Sequence, residues 1–561
     1  MLPLVTLLLA AAPNPEVIVF LGTECPMARL YVLRLNDLAN RYPEIRFRAL
    51  NASDQDSAAE VAEFGKRLRF PYEKDDGSQA RRLSATRSPE AFLLVGGRIV
   101  YRGRIDDQYT PGTNRGSPTR HDLEEAIKEV LAGRPVSIIS TQATGCRLSV
   151  PVKPSGEITF DDVAPILHQK CAECHRPGQV APFPLLTYED TLGWGAMIEE
   201  VVATGRMPPW HADPAHGHFA NDRSLTAEQK ELLLEWVAAG SPAGRNHPLP
   251  PSFDDGWKIR PDRIIAMDRF FQVPAEGVLD YQEFTIDPGF RDDTWVQAVE
   301  IRPGNPAVVH HINVFLRPPG APPDSLYLNR VQDVYLAMLV PGNAVTLWPE
   351  GIAKLIPAGW NIVFSVHYQP NGTVQTDRSQ LALQLADAVR QQAATRVFVD
   401  LDMLVPPRAV VSVSKTWKLE DDFTLYALYP HMHLRGKSMI FEIISPQREV
   451  LLNVPRFDFN WQHRYVLSEP RKLAKGTVIE CRAVFDNTAE NPHNPDPGAI
   501  VRFGPQSTDE MFQACFEVVR TNENLNGWPS SPWVLLSAAA VISLGYLVSR
   551  FCGRGRRPLG G

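Results

Sequence analysis

Hydrophobic and polar positions follow different periods along the chain, and each period predicts a different kind of structure. Residues 17–21 form a continuous apolar run that predicts a buried strand, and residues 27–40 follow with helical spacing. Helical spacing returns in three segments between residues 160 and 239. From residue 260 to residue 519, short apolar runs alternate with turns rich in Pro, Gly and Asn, a pattern typical of β-sandwiches. The chain is therefore expected to combine an α/β unit, a small all-α unit and all-β units.

The length and composition agree with several ordinary globular domains. At roughly 150 residues per domain, 561 residues predict three to four domains. The 49 prolines favour short strands joined by loops, because proline lacks a backbone donor and ends helices. The formal net charge is -7 and no long basic run precedes the C-terminal residues, so no nucleic acid partner is expected.

Both ends of the chain predict targeting to a membrane. Residues 1–12 are apolar and finish in three alanines, which suits an export signal peptide; a buried first strand is the alternative. Near the other end an apolar stretch precedes four arginines, so we expect a transmembrane helix over residues 532–551, with a buried helix as the alternative. The arginines predict a cytoplasmic C-terminus and leave the other domains on the outer side.

Two closely spaced cysteines mark a site for haem. Cys171, Cys174 and His175 form the Cys-x-x-Cys-His pattern, in which two thiols bond the haem covalently and the histidine ligates its iron. A zinc or disulfide Cys-x-x-Cys is the alternative, but a zinc ribbon needs a second cysteine pair. Residues 157–247 therefore resemble a small all-α cytochrome c domain.

The second axial ligand of such a haem is expected downstream of the attachment motif. Met207 lies after an amphipathic stretch and is the predicted ligand. His168 and His211 compete with it, and a core methionine is the remaining alternative. The domain is expected to close with a helix over residues 226–239 that begins with a capping box.

A cysteine lies between the first predicted strand and the first predicted helix. Cys25 in this position has a helix N-terminus beside it, which lowers the pKa of a thiol. Together with Pro89 before a predicted strand and hairpin, this makes residues 13–140 resemble thioredoxin and peroxiredoxin folds, and the resemblance implies a cis bond before Pro89. Ala28 occupies the place of the usual second cysteine, so Cys146 is the candidate partner of an oxidised Cys25. Redox chemistry and a docking or vestigial role both stay open for this domain.

Histidines enter the all-β region at three places. His431 and His433 stand at positions i and i+2, share a face of a strand and can chelate one metal ion. His310 and His311 are adjacent and would face opposite sides of a regular strand. Their joint ligation needs a strand end, a bulge or the use of different ring nitrogens. His367 is the third place; taken singly, each histidine is more often a satisfied core or surface group.

The order of these histidines resembles the copper type II, ascorbate-dependent monooxygenases, the family of peptidylglycine α-hydroxylating monooxygenase and dopamine β-monooxygenase. His310 and His311, in Val-Val-His-His-Ile, match the paired histidines of that family, and His367 matches its third histidine. The resemblance implies that these three residues hold an electron-transfer copper ion. Three imidazoles suit copper in either oxidation state.

The same resemblance implies a second, oxygen-binding copper ion. His431 and His433, in His-Met-His-Leu-Arg-Gly-Lys, match the His-x-His-x-x-Gly-Lys pattern of the family, and Met511 matches its methionine ligand. A thioether is a soft ligand that favours Cu(I), the state that binds dioxygen. A buried strand methionine is the alternative for Met511.

The resemblance also implies an architecture and limits the substrate. It predicts two jelly-roll sandwich domains with facing copper ions, over residues 262–392 and 393–523. Cys481 matches a disulfide cysteine of the family, and Cys515 would pair with it after a shift of register. Tyr429 and Cys515 occupy the positions that bind the substrate carboxylate in the peptide-hydroxylating enzyme, so a C-terminal glycine peptide is not expected here.

Together these features predict a copper-dependent monooxygenase that hydroxylates a C–H bond of a small molecule or peptide with O2. Its expected cofactors are two copper ions and a covalent haem c, which passes electrons to the copper held by His310, His311 and His367. A cytochrome, a quinol-linked enzyme or an ascorbate-like reductant outside the cytoplasm would supply the electrons. The expected location is a bacterial inner membrane, crossed once, with the catalytic domains in the periplasm.

Two other classes of protein are compatible with the sequence. One is a thiol or peroxide redox protein that uses Cys25 and the haem, with copper-binding but non-catalytic β-sandwich domains. The other is a copper-binding or metal-trafficking protein without catalysis.

Overall fold

The computed structural model describes residues 15–53, 56–110, 113–148, 154–321 and 334–521. The predicted signal peptide (1–12) and transmembrane helix (532–551) lie outside these ranges. Within them, no helix is both long enough and apolar enough to cross a membrane.

The first unit is a five-stranded sheet flanked by helices. Its strand order is β3-β2-β1-β5-β6, with the first three strands parallel and the last two antiparallel to their neighbours. This is the arrangement of a thioredoxin-like fold and confirms the interpretation of the sequence; the peptide bond before Pro89 is cis. The elements are β1 (Glu16–Phe20), α1 (Pro26–Arg41), β2 (Arg46–Asn51), α2 (Ala58–Gly65), β3 (Tyr72–Lys74), α3 (Ser78–Leu83), β4 (Arg87–Ser88), β5 (Glu90–Val95), β6 (Arg98–Gly103), β7 (Tyr109–Thr110), β8 (Thr113–Asn114), α4 (Asp122–Leu131) and β9 (Cys146–Arg147).

The first strand is apolar throughout because both of its faces are covered. Val17 and Val19 point into one hydrophobic cluster, and Ile18 and Phe20 point into another. The strand ends a few residues before Cys25, and α1 begins with a proline in its first turn. Cys25 is therefore held at the N-terminus of a helix, as the sequence predicts.

The second unit consists of helices α5 (Phe160–Lys170), α6 (Tyr188–Thr191), α7 (Gly195–Ala203) and α8 (Ala227–Ala238). The helical pattern over residues 187–202 does not give one helix. It is broken at Gly193, whose φ of 73° lies in the left-handed region. The predicted capping box is confirmed: Thr226 and Gln229 bond reciprocally at the start of α8.

The remaining strands form two β-sandwiches, as the alternating pattern predicts. They are β10 (Arg263–Ala266), β11 (Phe271–Val273), β12 (Gln282–Ile286), β13 (Thr294–Arg302), β14 (Val309–Arg317), β15 (Tyr335–Leu339), β16 (Val345–Leu347), β17 (Ile352–Ile356), β18 (Asn361–Tyr368), β19 (Gln375–Asp377), β20 (Gln380–Leu385), β21 (Gln391–Val399), β22 (Leu404–Val405), β23 (Val410–Lys418), β24 (Phe423–His431), β25 (Gly436–Ser445), β26 (Glu449–Val454), β27 (Tyr465–Leu473), β28 (Val478–Asp486), β29 (Val501–Arg502) and β30 (Gln513–Arg520).

One long sheet runs through both sandwiches in the order β10-β20-β13-β17-β21-β30-β24-β27. A four-stranded sheet, β12-β18-β14-β15, packs on its first half, and a second, β23-β28-β25-β26, packs on its other half. The parallel pair of β17 and β21 joins the halves. The two sandwiches therefore share a sheet and are not joined by a linker alone.

The helical unit is anchored to the second sandwich by the segment of residues 204–222, which follows α7. Trp210 and Phe219 belong to the hydrophobic core of that sandwich. The backbone N–H of Ala220 donates to the carbonyl of Val466 at 2.8 Å. Apolar burial and backbone pairing together fix this unit beside the candidate metal site.

Candidate metal centre

Three histidines of the first sandwich meet where β14 pairs with β18. His311 lies directly opposite His367, and the register shifts between Val309 and His311. His310 is therefore the extra residue of a β-bulge. One nitrogen from each of the three imidazoles lies within 4.8 Å of the others. Of the arrangements that the sequence leaves open, the structure contains the bulge.

The outer nitrogens of two of these imidazoles are held by oxygen atoms. Nε2 of His310 donates to Oδ1 of Asn460 at 3.2 Å, and Nε2 of His311 lies 2.8 Å from the hydroxyl of Tyr281. Because Nε2 of His310 carries the proton, its Nδ1 atom presents a lone pair, and this atom lies 2.8 Å from Nδ1 of His311. Nδ1 of His367 is buried, and no hydrogen-bond partner for it lies among the described residues. A metal ion bound by the three Nδ1 atoms would satisfy all of them.

The protonation state of this cluster agrees with metal binding. Burial lowers the pKa of His310, and burial together with the neighbouring imidazoles lowers those of His311 and His367 well below the ordinary value. Neutral imidazole is the form that ligates metals. The donor set of three imidazoles fits copper.

The second cluster lies at the end of β24. His431 is the last residue of the strand and His433 follows two positions later, while Met432 between them points into the hydrophobic core. The two imidazoles lie 5.2 Å apart, nearly perpendicular at 88°. The carboxylate of Glu510 accepts from the backbone N–H groups of His433 and Met511. One buried side chain therefore ties the His-x-His segment to the segment of the predicted methionine ligand.

In this cluster the roles of the ring nitrogens are reversed. Nδ1 of His431 donates to Oε1 of Gln462, and Nδ1 of His433 is 3.4 Å from the carbonyl of Asp509. These contacts leave the Nε2 atoms available to ligate a metal ion. Burial lowers the pKa of His431 to about 4, so the ring is neutral at physiological pH. Met511 lines the same cavity as both histidines.

This cavity lies between the two sandwiches and encloses about 780 Å³, its opening to solvent included. The first sandwich contributes side chains such as Tyr335 and Met338, and the second contributes His431, His433 and Met511. None of the described residues that line it is an Asp, Glu, Lys or Arg. Tyr429 and Cys515, which the sequence resemblance aligns with carboxylate-binding positions, also line it.

A single loop, residues 455–464 between β26 and β27, contacts both clusters. The ring of Phe459 lies 5.7 Å from that of His310 and 6.0 Å from that of His433. The same loop supplies Asn460 and Gln462. Sequence reasoning missed these residues as well as Tyr281 and Glu510. No motif marks the loop; for Glu510 the only signal is its place next to Met511.

The predicted haem motif forms a compact site at the end of α5. Nδ1 of His175 donates to the carbonyl of Phe183 at 3.0 Å, which leaves Nε2 available to ligate a metal ion. The ring of Phe183 stacks on Trp194 at 3.7 Å. Cys171 and Cys174 are half-buried. This donor set fits a covalently attached haem.

Among the described residues, no contact joins Met207, the predicted second axial ligand, to His175. Met207 is half-buried, and its backbone N–H donates to Val201 at 3.0 Å. Nε2 of His168 donates to Leu186 at 2.8 Å. His211 lies in the segment that packs on the second sandwich, where burial lowers its pKa. Met207 therefore stays a prediction.

The structure brings Cys25 and Cys146 together. The thiol of Cys25 donates to the carbonyl of Ser88 at 2.9 Å, and Cys146 pairs with Ser88 across β4 and β9. Burial raises the pKa of Cys25, but hydrogen bonds from the thiol and backbone N–H of Cys146 and from the N–H of Ala28 outweigh it and bring the pKa to about 7.

The expected disulfide between Cys481 and Cys515 is not formed. Both are free, buried thiols. Cys481 packs in the core of the second sandwich, whereas Cys515 packs in a different cluster and lines the cavity. In the β24–β30 pair, Cys515 lies opposite Tyr429. Its side chain therefore faces away from the core that contains Cys481.

No family model and no curated protein matches the chain. Solved structures match parts of it. An uncharacterized conserved protein from Geobacillus kaustophilus is 28% identical over 26% of this chain and 80% of its own, with a TM-score of 0.23. A secreted disulfide oxidoreductase from Mycobacterium tuberculosis is 20% identical over 15% of this chain and 63% of its own, with a TM-score of 0.14. The major capsid protein P2 of bacteriophage PM2 is 8% identical over 47% of this chain and 100% of its own, with a TM-score of 0.21.

Proposed function

We propose that this chain is a copper-dependent monooxygenase that hydroxylates a C–H bond with O2 and receives electrons through a c-type haem on the same chain. The observation that carries the proposal is the arrangement of two imidazole clusters beside one loop. Outer nitrogens are held by Asn460 and Tyr281 in one cluster and by Gln462 in the other. The inner nitrogens are left for metal ions.

The residues divide the chemistry between two copper sites. His310, His311 and His367 would hold one ion, and His431, His433 and Met511 the other. Copper at these sites would store one electron each and activate dioxygen at the site with the thioether. Tyr281, Asn460 and Gln462 fix the orientation of the imidazoles, and Glu510 holds the backbone on both sides of the second site.

The cavity supports an uncharged substrate. Aromatic and thioether side chains such as Tyr335, Met338 and Phe503 line it, and its described lining holds no charged side chain that could pair with a carboxylate or an amine. The hydroxyl of Tyr429 is already bonded to Glu517 at 2.7 Å. We therefore propose a small molecule, or an uncharged part of a larger one, that presents an aliphatic or aromatic C–H bond.

The contacts of the helical unit support electron supply from the haem site. Nε2 of His463 donates to the carbonyl of Pro209, in the segment that follows α7. The preceding residue, Gln462, holds His431. Hydrogen bonds therefore connect the helical unit to the second histidine cluster through this loop. Phe459 and Asn460 of the same loop contact His310 of the first histidine cluster.

Stopped-flow mixing tests the proposal. The holoprotein is reduced without oxygen, mixed with O2 and followed by the haem absorbance. Replacing His310 by Ala is expected to slow haem oxidation, whereas His121→Ala, an exposed histidine of the first unit, is expected to leave it unchanged. Equal rates for the wild type and His310→Ala would contradict the proposal.

The convergence of Cys25 and Cys146 favours a second candidate, a thiol or peroxide redox protein. It predicts peroxide turnover that is lost in Cys25→Ser and retained in Met511→Ala. The copper-dependent proposal predicts substrate-dependent oxygen uptake that is retained in Cys25→Ser and lost in Met511→Ala.

A further inference from the structure

The linker after α4 is laid along the first unit by backbone hydrogen bonds. Arg102 donates to the carbonyl of Ile139 and accepts from the N–H of Thr141, both at 3.0 Å. Further along, Leu148 donates to the carbonyl of Thr86 at 2.9 Å. Residues 139–148 are therefore held in a fixed register against β6 and β4.

Two glycines allow the linker to approach this closely. Gly103 has a φ of 140°, and a Cβ there would overlap the side chain of Thr141. Gly145 has a φ of 131°, and a Cβ there would overlap the carbonyl of Ser88. The second approach places Cys146 opposite Ser88, beside the sulfur of Cys25.

The pair of short strands β4 and β9, which carries Cys146, also contacts the helical unit. Cys146 packs against the hydrophobic cores of both units. The backbone N–H of Arg147 donates to the sulfur of Met197 at 3.4 Å, and Arg87 pairs with Glu200 at 2.8 Å. The two cysteines therefore lie where the thioredoxin-like unit, the linker and the helical unit meet.

We propose that Cys25 and Cys146 form a reversible disulfide that fastens the linker, and with it the helical unit, to the thioredoxin-like unit. The oxidant is an external disulfide, either of a small thiol or of a protein. The thiolate of Cys25 attacks one sulfur of that disulfide and releases one thiol. Cys146, once deprotonated, attacks the resulting mixed disulfide at Cys25 and releases the second. Two protein thiols and one external disulfide thus give one protein disulfide and two external thiols.

Because Cys25 is buried, this exchange requires a movement of the linker. The side chain of Cys25 is only 2% exposed, so an external disulfide reaches it when the linker lifts. Closure of the disulfide then holds the linker down, and reduction releases it. This role is separate from oxygen chemistry at the histidine clusters.

The full holoprotein is tested in glutathione buffers of different redox poise. After alkylation of free thiols and digestion, mass spectrometry is expected to find a peptide that links Cys25 to Cys146 in oxidised buffer and to lose it in reduced buffer. Amide hydrogen exchange of residues 139–148 is expected to slow in the oxidised form. Cys25→Ser and Cys146→Ser abolish both changes, whereas Cys481→Ser, at a buried thiol outside the pair, preserves them.

The wild type alone can overturn the proposal. Two thiols that stay reduced in oxidised glutathione, or that become glutathionylated without a link, exclude an internal disulfide. A link that survives reducing buffer, or that leaves hydrogen exchange of the linker unchanged, excludes a reversible fastening.

Discussion

The imidazole of His310 stacks on the ring of Phe459, with 5.7 Å between centroids and 19° between planes. The same ring lies 6.0 Å from that of His433 in the other sandwich. Because Asn460 and Gln462 stand on the same loop, one short segment orients a ring in each histidine cluster, that of His310 and that of His431. A change in this loop is therefore expected to affect metal binding without removing a ligand.

Removal of the loop acceptors is expected to weaken copper binding. Asn460→Ala leaves Nε2 of His310 without its acceptor, and Gln462→Ala does the same for Nδ1 of His431. Loss of such a partner typically costs ~10–100-fold in metal affinity. Competition with a chelator measures the affinity of each site. Asn460→Asp and Gln462→Glu keep an acceptor and are expected to restore most of it; unchanged affinity in the alanine variants would show that the loop does not support the sites.

The reactivity of Cys25 is expected to follow a low pKa. Its pKa is about 7 instead of 9.0, so its rate of alkylation should rise through pH 7. Since the folded state favours the thiolate, this group stabilises the protein at high pH, and the stabilisation disappears as the pH falls through 7. Cys146→Ala removes the thiol that donates to Cys25 and is expected to move the alkylation profile to higher pH. A midpoint near 9 in the wild type would contradict this account.

Gly145→Ala is expected to displace Cys146 from Cys25. The new Cβ would meet the carbonyl of Ser88 in a backbone conformation that disfavours side chains. Gly133→Ala is the matched control, because it also has a positive φ but no atom within 4 Å of the new Cβ. The yield of the Cys25–Cys146 link in oxidised glutathione measures the effect. Equal yields in the two variants would show that the linker does not need this close approach.

The wall behind the cavity contains a buried ion pair. Glu517 bonds both Arg464 and the hydroxyl of Tyr429. Glu517→Ala leaves a buried guanidinium unpaired, which is expected to cost about 3–5 kcal/mol of stability. Glu449→Ala breaks an exposed pair with Arg471 and is expected to cost about 0–1 kcal/mol. Denaturant unfolding, followed by tryptophan fluorescence, measures the free energy of unfolding of both variants. Similar losses of stability would show that the buried ion pair contributes no more than the exposed one.

Local patterns were sufficient to predict the elements and many of the candidate ligands. The strands that carry His310, His367 and His431 are apolar runs with clear ends, and the capping box of α8 uses only neighbouring residues. The bulge at His310 could not be chosen in advance, because its register depends on the partner strand β18. The shared sheet could not be predicted either, since the pairing of β17 with β21 is a contact between the two sandwiches.

The supporting residues of the site were beyond sequence reasoning for the same reason. Asn460 and Gln462 resemble any polar loop residues until the fold brings them to His310 and His431. The expected disulfide between Cys481 and Cys515 is not formed because the two side chains pack in different hydrophobic clusters. Side chains alternate between the two faces of a strand, and the family resemblance did not specify which face Cys515 occupies.

The copper-to-iron ratio of the holoprotein decides whether the chain holds two copper ions beside its haem. The protein is exported in a host that attaches haem, purified, and measured by elemental analysis. We expect about two copper ions per haem iron, falling towards one in Met511→Ala or His431→Ala. A protein without copper, or with zinc in its place, would contradict the account and make the histidine clusters structural.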